Sequence, residues 1–238
     1  MADLEYGGGH QVADEWNWPP ASLLGGLGQA QRDRLLALGT RVRYPADRVL
    51  IREGEQSTFV LILLDGVVKV IGRTGVGRDM LLAVRMGGDL VGEFAAVDAQ
   101  PRSATVTTCG PVVARIMTRA DFVACMRPDP DLAHAVNRAV VAKLRMANSH
   151  RIDFTGCDVN TRLARVLHQI ALIYGERKGE GVVIRWPITQ PELASLSGAA
   201  ESTVHKALRK LRESGVVSTG YRTIRVDDLA LLSSIAFD

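Results

Sequence analysis

The chain has 238 residues, 47% of them hydrophobic, and a formal charge of +3 from 29 Lys and Arg against 26 Asp and Glu. That is the composition of a globular protein with a good core and room for two domains. No apolar run approaches the ~20 residues that cross a bilayer, and the N-terminus lacks the basic region and apolar core of a secretory signal. Cys109, Cys125 and Cys157 stand far apart without a CxxC pair, and the five histidines form no HxxxH pair. This argues against a disulfide scaffold or a metal centre, and for reduced thiols in a cytoplasm.

Residues 1–22 read as a flexible arm: Gly7-Gly8-Gly9 and Trp16-Asn17-Trp18-Pro19-Pro20 suit a mobile tail, although the tryptophans could dock on the body or on a partner. Leu23 to Leu38 reads as a helix with Leu27, Leu35, Leu36 and Leu38 on its apolar side. From Thr40 to Thr118 come short β-prone runs, at 49–51, 59–64, 67–71, 80–84, 104–108 and 112–116, separated by Gly, Asp and Pro turns. Such a series predicts a sandwich, jelly roll or barrel. Gly72, Gly75 and Gly77 mark a hairpin tip, not a phosphate loop, because no Gly-Lys-Ser/Thr follows.

Thr118 to Asp121 opens a short helix with a capping pattern. A long helix follows from about Asp131 to Gly156, in which Ala133, Val136, Val140, Lys143, Ala147 and His150 repeat at steps of three and four. That seam, weakened by Lys143 and His150, predicts a parallel homodimer. Gly156-Cys157-Asp158 breaks the helix and reads as a hinge. Thr161 to Tyr174 is amphipathic, Gly175 to Gly181 a polar loop, and Val182 to Trp186 leads onward.

Thr189 to Arg212 then reads as two helices around a tight turn. Thr189 and Glu192 fit a capping box, and Gly198 suits a turn at positive φ. Val204, Leu208 and Leu211 form the buried side of the second helix. Its other faces carry Glu201, Ser202, His205, Lys206, Arg209, Lys210 and Arg212. Two short strands about Gly220-Tyr221 make a wing, and one helix should close the chain over 227–235. Between Glu201 and Arg225 six Lys and Arg face two acids, a local excess of four positive charges. A helix-turn-helix with a concentrated basic face is the footprint of a protein that enters the DNA major groove. A solvated helical hairpin, or a signalling module using the basic wing on a protein partner, are the rival readings. Nothing resembles a triad, an acid/base pair with a nucleophile or a metal motif, so an enzyme is not expected.

Three anchors carry a resemblance over roughly Leu23 to Val226. They are Ile188-Thr189-x-x-Glu192-Leu193-Ala194…Gly198…Thr203-Val204-x-Lys206-Ala207-Leu208; Gly92-Glu93-Phe94-Ala95 followed by Pro101-Arg102-Ser103-Ala104; and Asp158 at the end of the long helix. In this order they resemble the bacterial regulators typified by the cyclic-AMP receptor protein and its FNR relatives. The resemblance implies an α+β protein: a cyclic-nucleotide-binding β-roll of the jelly-roll type (residues 23–128), a long dimerisation helix with hinge (129–157) and a winged helix-turn-helix (158–238). It implies a cyclic nucleotide, cyclic AMP first and cyclic GMP or another as alternatives, on Gly92, Glu93, Phe94, Arg102 and Ser103. Arg102 would meet the phosphate and Glu93 the ribose hydroxyl. Without ligand, Glu93 and Arg102 would pair with each other. It also implies a homodimer on double-stranded DNA, working with RNA polymerase, with no membrane partner.

Three departures stand out. The family's Arg and Thr on the long helix become Lys143 and Ala147 here. Ala147 cannot hydrogen-bond a base, so Asn148 beside it becomes the candidate, from either subunit. The recognition helix reads Ala200-Glu201-Ser202-Thr203-Val204 where the family has Ser-Arg-Glu-Thr-Val, removing an Arg contact to guanine and the N-cap hydroxyl. Glu201 could then accept from a cytosine amino group, Lys206 meet a phosphate, and Ser202, His205 and Arg209 contact bases or phosphates. Thr189, Gln190, Thr203 and Arg222 complete the expected DNA contacts. Finally, the clustered N-terminal cysteines of oxygen-sensing FNR proteins are missing, and no His or Cys argues for haem.

Overall fold

The computed structural model describes residues 16–75, 77–184, 188–220 and 223–237. Gly7-Gly8-Gly9, Trp186, Tyr221 and the expected DNA contact Arg222 lie outside them. The N-terminal half contains α1 (Gln29–Leu36) and eight strands: β1 (Thr40–Tyr44), β2 (Val49–Ile51), β3 (Val60–Asp65), β4 (Val67–Arg73), β5 (Asp79–Met86), β6 (Leu90–Val91), β7 (Thr105–Thr108) and β8 (Val112–Met117). The short helix α2 (Glu93–Asp98) lies between β6 and β7. Two antiparallel four-stranded sheets result, in the orders β1-β8-β3-β6 and β2-β7-β4-β5. Then come α3 (Arg119–Met126), α4 (Pro130–Gly156) and α5 (Val159–Tyr174). The C-terminal half continues with β9 (Glu176–Lys178), β10 (Gly181–Ile184), α6 (Gln190–Ser197), α7 (Glu201–Glu213), β11 (Val217–Gly220), β12 (Thr223–Val226) and α8 (Leu229–Phe237). Its sheet runs β11-β12-β10-β9.

Strand β3 is apolar from Val60 to Leu64 because both of its faces are buried there. Val60, Ile62 and Leu64 join a core with residues of α1, α3 and the start of α4. Leu61 and Leu63 point the other way, to Val68, Val106 and Ala114, as the period of two requires. The arm is not a tail at its described end. Trp18 is buried in the first of these cores and its indole N–H donates to the Leu64 carbonyl at 2.9 Å. The helix expected over 23–38 spans only Gln29–Leu36. Gly25, Gly26 and Gly28 disfavour helix before it, and a Cβ at Gly25 would lie 2.0 Å from the Pro19 carbonyl oxygen. Leu23, Leu24 and Leu27 are nonetheless buried, from turns.

Strand β4 pairs with β5 from Val67↔Met86 to Val70↔Ala83, then slips so that Ile71 faces Leu81, leaving Leu82 as a bulge. A bulge re-aims side chains. Leu81 and Val84 join the core of the C-terminal half, while Leu82, Ala83 and Arg85 line a cavity on the other side.

Asp129 caps α4 by accepting from the Leu132 N–H at 3.0 Å, with Pro130 in the first turn where its missing N–H costs nothing. The stripe expected as a seam on this helix lies largely against its own chain, with Ala147 exposed. Val136 is buried in the chain's own core, and Val140, Lys143, Ala147 and His150 line the chain's own cavity. The exposed large apolar residues of the helix are Val141, Leu144, Ile152 and Phe154, of which Leu144 also borders the cavity. Helix α4 ends at Gly156, Cys157 is extended, and the Asp158 carboxylate caps α5 by accepting from the Thr161 N–H at 2.8 Å. The loop expected after α5 contains β9, an exposed edge strand whose polar sequence hides its pairing with β10.

Candidate functional site

The cavity of about 470 Å³ opens between the roll and α4. Gly92 precedes α2 at φ +84, and a Cβ there would lie 2.7 Å from Arg102 Nη1 and 2.9 Å from Ile51 Cδ1. Only glycine fits both the dihedral and the close approach. Arg102 is 3% exposed. Its Nη1 donates to the Gly92 carbonyl (2.7 Å), Nη2 to the Phe59 carbonyl (2.7 Å) and Nε to Ser57 Oγ (3.0 Å). A guanidinium has five N–H groups, so two remain, one on each Nη, for an anion. Burial lowers the Arg102 pKa, opposed by Glu55 and Glu93.

Glu93 does not pair with Arg102. It is buried and accepts from Lys143 Nζ at 2.6 Å; the same ammonium donates to the Leu90 carbonyl at 2.6 Å. Lys143 is thus drawn into the cavity wall. Burial depresses its pKa while Glu93 opposes that shift, and Arg85 adds repulsion. Phe94 and Ser103 are exposed and line the mouth. Ala147 lines the cavity and Asn148 does not: it sits on the exposed side of α4. His150, absent from the expected ligand set, also lines it, with Nε2 3.3 Å from Gln169 Oε1 on α5. The walls are otherwise mostly apolar, with a few convergent polar groups, as in small-molecule sites.

Contacts lead from this cavity to the helix-turn-helix. The Phe154 ring packs so closely on Gly198 that an added Cβ would meet it at 2.5 Å, and Gly198 takes φ +58. Arg162 donates to the carbonyls of Cys157, Ser197 and Gly198. Tyr174 donates to the Val84 carbonyl at 2.8 Å, and burial pushes its pKa up to about 12, so it stays a donor. Lys69 on β4 forms an ion pair with Glu192 on α6.

The capping box is present: Thr189 Oγ1 accepts from the Glu192 N–H, and Glu192 Oε2 from the Thr189 N–H at 2.8 Å. Val204, Ala207, Leu208 and Leu211 bury one side of α7. Glu201, Ser202, Thr203, His205, Lys206 and Arg209 are exposed. Ala200 gives no side-chain cap, as its missing hydroxyl dictates. Gln190, on α6, meets His205 side chain to side chain at 3.2 Å, a pairing across two helices that residue spacing does not reveal. Among the described residues no cluster of His, Cys, Asp and Glu could hold a metal ion. Cys109 is buried and its thiol is pushed up to about 11, chiefly by burial, which makes it a poor nucleophile.

Comparison with known proteins agrees with this geometry. The cyclic nucleotide-binding domain family matches residues 41–129, and the Crp-like helix-turn-helix domain family matches residues 161–235. The chain belongs to the CRP/FNR family of transcription regulators. It is 29% identical over 187 residues to a CRP-like cAMP-activated global transcriptional regulator of Mycobacterium tuberculosis, covering 79% of this chain and 84% of that one. It is 28% identical over 215 residues to the cyclic AMP receptor protein of Thermus thermophilus, covering 90% of this chain and 96% of that one. The c-di-GMP responsive regulator CLP of Xanthomonas campestris shares the fold, with TM-score 0.70 at 21% identity over 84% of this chain and all of that one. Like its relatives, this CRP-like chain is a DNA-binding transcription regulator. No described helix is long and apolar enough to cross a membrane.

Proposed function

We propose that this CRP-like regulator acts as a homodimer, reads a specific DNA sequence, and is gated by a cyclic nucleotide in the roll. The observation that carries the gating is continuity. Helix α4 lines the cavity with Lys143, Ala147 and His150, then reaches the helix-turn-helix through Phe154 against Gly198. A ligand shifts such an equilibrium only by binding its two states unequally, and the Lys143–Glu93 pair supplies the inequality. A ribose hydroxyl donating to Glu93 competes with Lys143, while Arg102 offers its two remaining N–H groups to the phosphate. Gly92, Phe94 and Ser103 complete the contacts. The roll occupies residues 23–128, the dimer helix and hinge 129–157, and the DNA-binding part 158–238.

Val141, Leu144 and Ile152, spaced three and eight apart, share one exposed face of α4. Asn148 lies on that face, which suits contact with a ligand in the partner's cavity. This supports a dimer whose seam is shifted from the one sequence spacing suggests; sedimentation as a monomer at micromolar concentration would overturn it. RNA polymerase as a further partner rests on the family likeness alone. Thr189, Gln190, Glu201, Ser202, Thr203, His205, Lys206, Arg209 and Arg222 are the proposed DNA contacts.

The deciding experiment is calorimetric titration with cyclic AMP and then cyclic GMP. Binding at micromolar concentration or tighter that Arg102→Ala abolishes, with ligand-dependent retention of DNA, bears out the gating. DNA binding with no heat from either nucleotide favours the second reading, a ligand-independent regulator controlled constitutively or by a protein partner. The internal Glu93–Lys143 pair and the missing hydroxyl at Ala147 are the observations on that side.

A further inference from the structure

We infer that His205 and Glu201 form an acceptor pair on α7 that selects bases by their exocyclic amino groups, and that Gln190 is the positioning residue that makes His205 an acceptor. This rests on the DNA-binding reading and names the chemistry the reading leaves open. Gln190 Oε1 lies 3.2 Å from His205 Nδ1. A carboxamide oxygen only accepts, so this contact selects the tautomer in which Nδ1 carries the proton and donates. In that tautomer of an imidazole Nε2 is the acceptor. Glu201, a carboxylate, also only accepts. Both side chains are exposed, along one edge of the face that buries Val204, Leu208 and Leu211.

The spacing fixes what the pair can reach. Residues four apart are neighbours on a helix face, about 6 Å apart along its axis. That spans roughly two steps of duplex DNA at about 3.4 Å each. In the major groove the donors on base edges are the adenine N6 and cytosine N4 amino groups; guanine presents N7 and O6, both acceptors. Two acceptors therefore meet two amino-bearing bases within about two steps of each other, on the strand nearer the helix. A guanine or thymine in either place sets acceptor against acceptor. Arg209 cannot substitute for this reading, because a guanidinium only donates and cannot accept from an amino group.

The test is selection of randomised duplexes by the full-length chain, with and without cyclic AMP, followed by base analogues. His205→Ala should relax the preference at one base pair by roughly fivefold or more. Gln190→Ala should relax that same pair, and Glu201→Ala one about two steps away. At the His205-dependent pair, replacing adenine by purine, or cytosine by 2-pyrimidinone, removes only the amino group. That should weaken binding of the wild-type chain and leave His205→Ala unaffected. If wild-type binding responds instead to 7-deazaguanine at that pair, His205 is a donor and the inference is overturned. It is also overturned if His205→Ala selects the wild-type motif, whatever its stability, since a merely structural Gln190–His205 contact would not move base preference. If no duplex is enriched under either condition, and binding of a generic duplex shows no steep salt dependence, the DNA-binding reading itself fails. Lys206→Ala, which should lower affinity without changing the motif, separates phosphate contact from base reading.

Discussion

Glu93, Lys143 and Arg102 are held by their own chain: each is buried or nearly so, and each has partners at 2.6 to 3.0 Å. Glu201, His205, Lys206 and Arg209 on α7 face solvent. The two regions carry similar residue types, yet they respond to substitution in different ways. A charge in the cavity serves the fold and the ligand together, so removing it disturbs both. A charge on α7 costs the fold little, so removing it reports on DNA alone.

Lys143→Ala should test this contrast most severely. It leaves Glu93 buried without its partner, a loss of about 3–5 kcal/mol, read as a lower urea midpoint at an unchanged slope. Lys143→Met combined with Glu93→Gln should return much of that, because the cost lies in the abandoned charge. If Lys143→Ala is as stable as the wild type, the pair is not buried in the way described. Next comes Gly198→Ala, which forces alanine to positive φ and its methyl into the Phe154 ring. The φ strain alone costs roughly 1–2 kcal/mol, and the clash adds to it. Thermal unfolding would measure the total, and a change in DNA affinity beyond the stability loss would mark Phe154 as part of the coupling.

Asp158→Ala removes the cap of α5, at about 1 kcal/mol. The hydrogen bond from the Thr161 backbone N–H holds the Asp158 carboxyl below its ordinary value. A carboxyl with a depressed folded pKa adds stability above its unfolded value and loses it as pH falls through the folded one. The difference between wild type and Asp158→Ala should therefore be full at neutral pH and shrink below about pH 3.9; a constant difference across that range would contradict the cap. Smallest is Glu213→Ala, which breaks an exposed i,i+4 pair with Arg209. Solvent screening limits that to about 0.5 kcal/mol or less, and a loss above 1 kcal/mol would erase the contrast between the regions.

Much of this was legible in the residues wherever a local rule decides the outcome. Thr189 and Glu192 announce their capping box by spacing, Gly198 its turn, and Val60 to Leu64 a strand. The Arg102 cassette was visible only as a family pattern, since no local rule says that Gly92 must approach Arg102 within 2.7 Å. What escaped was decided at long range. Trp18 docks because the Leu64 carbonyl, 46 residues away, accepts its N–H. That Lys143, a poor seam residue, is drawn inward by Glu93 was hidden too, because a helix stripe does not say which neighbour it faces. Residues 176–178 are too polar to look like a strand and are one only because β10 offers an edge. The Gln190–His205 contact joins two helices, so neither helix alone contains its signal.

Strand β5 has the last consequence. Its bulge at Leu82 gives it two faces, one a wall of the cavity and the other the floor on which α5 and α6 rest. One stretch of about five codons, Leu81 to Arg85, is thereby pleiotropic. A lineage that drifts to a new ligand by repacking Leu82 or Ala83 also resets how Leu81 and Val84 seat the DNA-binding half. Selection on either property in the laboratory should recover changes in both from these positions. Variants altered at Glu201 or His205, with no second face to disturb, should change operator choice alone.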